Sequence, residues 1–138
     1  MKRFRFSAVL LAVCLSSGGA VLAADGDPLF VNLTSDDAYR SDLAISVSKH
    51  MMDRGHPLTI FFNDRGIFVV SRSNAEQFKT QQAVLAELFK AGATLIACPK
   101  CMKHYDVQEG DLLEGVKVGN AQVTGDALFR ENTRTLSW

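Results

Sequence analysis

The chain has 138 residues, 47% of them hydrophobic, and its 15 basic side chains are matched by 15 acidic ones. That length fits one domain. A balanced charge without a basic cluster argues against nucleic acid as a partner, and no apolar run is long enough to span a bilayer.

The first stretch reads as something other than fold. Residues 1–23 have a basic start (Lys2, Arg3, Arg5), an apolar run from Ala8 to Leu15, and small residues near Val21-Leu22-Ala23. These are the three regions of a secretory signal peptide, so a periplasmic or secreted protein is expected, with no membrane attachment once the signal is removed. A lipid anchor through Cys14 is disfavoured, because Val13 is bulkier than such processing sites usually accept. The single mature domain is then 24–138. Removing the signal takes three of the fifteen basic residues and none of the fifteen acidic ones, leaving a net charge of −3.

In chain order, Leu29-Phe30-Val31-Asn32-Leu33 is a nearly continuous apolar run, the mark of a strand covered on both faces. Thr34-Ser35-Asp36-Asp37 supplies N-cap candidates for a helix. Its inward stripe is Tyr39, Leu43, Val47 and Met51, with Ala44 beside it, and Gly55 and Pro57 stop it. A second strand, Leu58 to Phe62, ends in Asn63-Asp64-Arg65-Gly66. Ile67 to Val70 fits either a helical turn packed on the sheet or a short extended piece.

Gln77 to Ala91 reads as a second helix, with Phe78, Leu85, Leu88 and Phe89 inward. Thr94 to Ala97 is a third strand. Asp111-Leu112-Leu113 makes one turn, Val116 to Val118 a fourth strand, Thr124 to Asn132 a short helix and Thr133 to Trp138 a last strand. Alternating strands and helices demand parallel pairing with right-handed crossovers. The expected fold is a three-layer α/β sandwich, a five-stranded mainly parallel sheet with helices on both faces. Its ligand site belongs outside the carboxyl ends of the strands, where Thr34-Ser35-Asp36, Asn63-Asp64-Arg65 and Cys98 gather.

The third strand runs straight into Cys98-Pro99-Lys100-Cys101. Pro99 occupies the first helical position, where its missing N–H costs nothing. Cys98 then faces a helix start, which favours the thiolate. Once Cys14 has left with the signal, Cys98 and Cys101 are the only thiols, and both lie in one motif. A bridge across two residues closes a very small loop and adds little stability. The pair therefore reads as reactive or metal-binding rather than as a structural staple.

Cys98 is the candidate nucleophile. Cys101 either resolves a persulfide or disulfide on Cys98 or packs under the turn. Arg65 either steadies a thiolate or anionic sulfur group or is solvated, and Asn63 and Thr34 are the neighbouring polar strand tips. Lys100 and Lys103 either raise the local positive potential or are ordinary surface charges. His104 is a surface residue or a proton donor near the thiolate. A soft-metal alternative uses Cys98, Cys101 and His104 for copper(I) or zinc, but no second Cys-x-x-Cys or His pair completes a closed zinc site. The glycines form neither a dinucleotide nor a Walker pattern and no serine sits in a nucleophile elbow, so no cofactor is expected.

Three pieces together resemble the DsrE/DsrF-type sulfur-relay family, over about Leu29 to Trp138. They are the first strand with its Thr34-Ser35-Asp36-Asp37 turn, the Arg54-Gly55-His56 to Gly66 segment around the second strand, and Leu95-Ile96-Ala97-Cys98-Pro99-Lys100-Cys101 followed by the Leu112 to Val116 turn. The resemblance implies a five-stranded sheet, homo-oligomers such as trimers or hexamers, and a persulfide on Cys98 passed between a donor and an acceptor protein. Two features depart from the pattern: the export signal, and Cys101 beside the carrier. In an oxidising compartment the two cysteines would tend to form a disulfide. A thiol–disulfide role, a metal role or a non-catalytic oligomeric module on the same scaffold are the competing expectations.

Overall fold

The computed structural model describes residues 26–138; the expected signal segment lies outside the described residues. In chain order the elements are β1 (Leu29–Leu33), α1 (Ala38–Asp53), β2 (Leu58–Phe62), α2 (Lys79–Lys90), β3 (Thr94–Ala97), α3 (Pro99–His104), β4 (Val116–Val118), α4 (Ala121–Leu128) and β5 (Arg134–Ser137). Turns of 3-10 helix cover Asp64–Val70, Arg72–Asn74 and Glu109–Asp111. The strands form one sheet in the order β4-β3-β2-β1-β5. Every neighbouring pair is parallel, so "mainly parallel" sharpens to wholly parallel.

The order explains the layering. From β1 to β4 the chain steps in one direction, and right-handed crossovers put α1 and α2 on one face. The return from β4 to β5 runs the opposite way, which sends α4 to the other face. On the first face Leu29, Val31, Leu33, Ile60, Phe62, Leu95 and Ala97 pack with Ala44 and Ile45 of α1 and Leu85 and Leu88 of α2. On the second, Thr124 and Leu128 of α4 line a groove with Phe30 and Phe61.

The register sets the site. Leu33 lies opposite Phe62 and Phe62 opposite Ala97, so Thr34, Asn63 and Cys98 leave the sheet side by side. Backbone bonds hold this row: Asn63 N–H donates to the Leu33 carbonyl at 3.0 Å and Cys98 N–H to the Phe62 carbonyl at 2.9 Å.

The buried face of α1 differs from the expected stripe. Tyr39 is 76% exposed and Leu43 43%, while Ser41, Ala44, Ile45 and Ser48 are buried. The serine hydroxyls donate to the Ala38 and Ala44 carbonyls, at 3.1 and 2.7 Å. With their polar groups satisfied inside the helix they behave as small residues and let it approach the sheet closely. Asp37 caps α1 by accepting the Arg40 N–H at 2.8 Å, and Gly55 (φ +92) ends it.

The ambiguous segment Ile67 to Val70 belongs to the 3-10 helix, with Ile67, Val69 and Val70 fully buried. The last helix begins earlier than Thr124 and stops short of Asn132. Asn120 is the cap, its side-chain oxygen accepting the Val123 N–H at 2.8 Å. Among the described residues no helix is long and apolar enough to cross a membrane.

Candidate functional site

Cys98 stands at the end of β3 in extended backbone (φ −72, ψ 114) and caps α3, with Pro99 in the first helical turn. Its Sγ accepts the Cys101 N–H at 3.2 Å. The turn brings the two Cα atoms to 5.3 Å, within the span of a disulfide, and the sulfurs are bonded to each other.

The tip of β2 meets this turn. Asp64 adopts the left-handed region at φ 45, a conformation that an aspartate tolerates better than most residues. Its backbone N–H donates to Cys101 Sγ at 3.1 Å, and its carboxylate accepts the Tyr105 hydroxyl at 2.5 Å. That hydrogen bond to Asp64 raises the Tyr105 pKa above the ordinary phenol value. The Tyr105 ring also packs on Phe68, with centroids 5.1 Å apart, and on His104 edge-on at 4.6 Å. Asn63, Asp64, Lys100, Cys101, His104 and Tyr105 line an open cleft of about 260 Å³. Cys101 lines it and Cys98 does not, although both cysteines are half-buried.

Of the residues named from sequence, Asn63, Cys101 and His104 share the cleft wall, with Cys98 bonded to Cys101. The Asn63 side-chain amide also donates to the Asn32 side chain. Arg65 is turned toward the neighbouring β1 turn. Its guanidinium pairs with Asp36 at 2.5 and 2.8 Å and lies 5.4 Å from the Phe68 ring centre. The Arg65 hydrogen bond holds the Asp36 carboxyl below its ordinary pKa. Thr34 donates its hydroxyl to the Trp138 carbonyl, tying β5 to the sheet edge. Asp64 was expected there as part of the Asn63-Asp64-Arg65 strand tip, and Tyr105 is the cleft residue that sequence reasoning did not single out. The pair spans 41 positions, and only the meeting of two strand tips reveals it.

Among the described residues, no group of three or more His, Cys, Asp or Glu is placed to hold a metal ion. In the disulfide, the two sulfurs of the soft-metal alternative bond each other rather than presenting two thiolates.

A second polar cluster lies at the loop before β4. Asp111 accepts the Ser71 hydroxyl, the Ser73 N–H at 3.0 Å and the Ser73 hydroxyl at 2.8 Å, while Arg72 donates to the Gly110 carbonyl. Partial burial pushes the Asp111 pKa up, but the hydrogen bonds from Ser71 and Ser73 outweigh it and the net shift is downward.

The fold has solved counterparts. A protein of unknown function, MTH1491, from Methanobacterium thermoautotrophicum is 21% identical with a TM-score of 0.67, covering 80% of this chain and 98% of its own. A conserved protein of unknown function, BT1422, from Bacteroides thetaiotaomicron is 17% identical with a TM-score of 0.62, covering 81% and 95%. The ychN protein from E. coli is 15% identical with a TM-score of 0.58, covering 80% and 99%. At these identities the likeness is one of fold. The sequence has no match among curated proteins. The DsrE/DsrF-like family, however, matches residues 29–133, from the first residue of β1 to the threshold of β5, and the chain belongs to that family.

Proposed function

We propose that this is an exported sulfur-handling protein that works through the Cys98–Cys101 pair, Cys98 carrying sulfane sulfur and Cys101 acting as the resolving thiol. Family membership points to sulfur relay at the family level. The observation that carries the reading for this chain is a two-cysteine turn at the carboxyl end of a central strand, bonded as a disulfide and bordering an open cleft.

In the reduced pair the Cys98 thiolate attacks the outer sulfur of a donor persulfide. A new sulfur–sulfur bond forms on Cys98, and the donor leaves as its thiolate. Transfer to an acceptor thiolate repeats the step with Cys98 as leaving group. Attack by Cys101 on the inner sulfur instead closes the disulfide and expels sulfide. The Cys101 N–H donates to the Cys98 sulfur, a contact that a negatively charged sulfur would strengthen. The oxidised pair fits the oxidising compartment to which the export signal would deliver the protein. Assembly into a homo-oligomer belongs to the same proposal and rests on the family membership.

Mass spectrometry of the reduced protein after exposure to a sulfane-sulfur donor tests the assignment. We expect an adduct of one sulfur on the wild type that is lost in Cys98→Ser. An adduct that survives in Cys98→Ser overturns the carrier role.

A further inference from the structure

We infer that the disulfide is opened at Cys101 and not at Cys98, so that the cleft is the docking place for an incoming thiol and Cys98 is released first. This rests on the reading of the pair as the working site and adds the direction in which it is recharged.

The two sulfurs are not equivalent. Cys101 lines the 260 Å³ cleft with Asn63, Asp64, Lys100, His104 and Tyr105, and Cys98 does not. The Cys98 sulfur is turned back onto its own helical turn, where it accepts the Cys101 N–H at 3.2 Å. Attack on a disulfide needs access to the sulfur being attacked and a stabilised leaving thiolate. Cys101 has the access. Each sulfur has a backbone donor, Cys98 the Cys101 N–H at 3.2 Å and Cys101 the Asp64 N–H at 3.1 Å, so either would be stabilised as a leaving thiolate and access to the cleft decides which is attacked. The Lys100 ammonium on the cleft wall attracts an anionic nucleophile.

The step balances with a dithiol reductant. Its first thiolate attacks Cys101 Sγ, a mixed disulfide forms there, and the Cys98–Cys101 bond breaks with its electron pair left on Cys98. The reductant's second thiolate then attacks its own sulfur in the mixed disulfide and expels Cys101 as a thiolate. The reductant is oxidised to a disulfide and the pair is reduced by two electrons, the two thiol protons passing to the cysteines or to water. Cys98 is then free to accept sulfane sulfur.

Trypsin separates the two positions, because Lys100 lies between them: Ala91 to Lys100 carries Cys98, and Cys101 to Lys103 carries Cys101. The oxidised protein is mixed with glutathione, quenched in acid within the first turnover and mapped by mass spectrometry. We expect the glutathione adduct on the Cys101 peptide in about tenfold or greater excess, as selective attack on one sulfur requires. An adduct mainly on the Cys98 peptide overturns the inference but leaves sulfur loading of reduced Cys98 untouched. No adduct on either peptide, from protein whose disulfide glutathione opens once it is denatured, also overturns it, since the cleft then admits no thiol. Lys100→Gln sharpens the result: it should slow attack by anionic glutathione about threefold relative to cationic cysteamine, the size of one exposed charge contact. An unchanged ratio removes Lys100 from the account.

Discussion

Two polar clusters flank the same buried 3-10 segment, and they differ in what they leave open. At its far end Asp111 gathers the Ser71 and Ser73 hydroxyls and the Ser73 amide, so both carboxylate oxygens are occupied. At its near end Asp64 gathers Cys101 and Tyr105 at the wall of a cleft, beside a disulfide. A satisfied network of inert groups holds two loops together and has no chemistry left over. The same kind of tie, built around a bond that can be broken and re-formed, leaves a reactive atom facing solvent. Convergence of polar groups therefore does not by itself mark a site; what remains accessible does.

The segment joining the two clusters is where one substitution should disturb both. A Cβ at Gly66 would collide with the Leu33 backbone carbonyl, which no side-chain rotation relieves. Gly66→Ala should cost about 2–3 kcal/mol, as over-packing at a rigid contact does, and disturb both clusters at once. Chemical denaturation reads the loss. An unchanged midpoint would mean that the turn relaxes without the clash.

Asp111→Ala separates the clusters. Losing bonds to a carboxylate and leaving the buried Ser71 hydroxyl short of a partner should cost about 1–2 kcal/mol while the rate of disulfide reduction stays the same. A matching drop in that rate would show that the two ends of the segment are coupled.

The same carboxylate sets a pH dependence. Its folded pKa lies below the ordinary 3.8. Its contribution is therefore fully present above that value and is lost as the pH falls through the lower folded one. Acid titration of the wild type should show this loss below about pH 4, and Asp111→Asn should lack it. Identical acid profiles would contradict the assignment.

The smallest effect is expected at the cleft. Tyr105→Phe removes the hydroxyl that holds Asp64 and should leave the melting temperature nearly unchanged. It should alter the reduction rate by about threefold, the kinetic equivalent of one modest hydrogen bond. Stopped-flow reduction measures it, and a large stability loss with an unaltered rate would place Tyr105 with the structural residues.

Much of this arrangement was legible in the sequence where the cause is local. Continuous apolar runs marked strands covered on both faces, and alternation with helices required parallel pairing. Pro99 announced the helix start that places Cys98 at the strand tip. Where tertiary contacts outweigh pattern, the sequence was a poorer guide. The four-residue spacing of Tyr39 and Leu43 suggested an inward stripe, yet serines satisfied by their own helix take the buried positions. Two residues that can both cap a helix, Asn120 and Thr124, lie four positions apart, and the structure uses the first. The contact between Asp64 and Cys101 uses a backbone amide 37 positions away, and an amide carries no sequence signature. The strand tips were predictable as a group; which of them faces the cleft was not.

The proposed function requires the cysteine pair of the folded protein to be open to chemistry at the sheet edge. The rate of its reduction by dithiothreitol, followed as urea is raised toward the unfolding transition, tests this most directly. We expect a rate that is nearly independent of urea until unfolding begins, because the cleft already admits the thiol. A rate negligible in the absence of urea that climbs in proportion to the unfolded fraction would show that the bond is reached only by unfolding and that the folded pair is closed to chemistry.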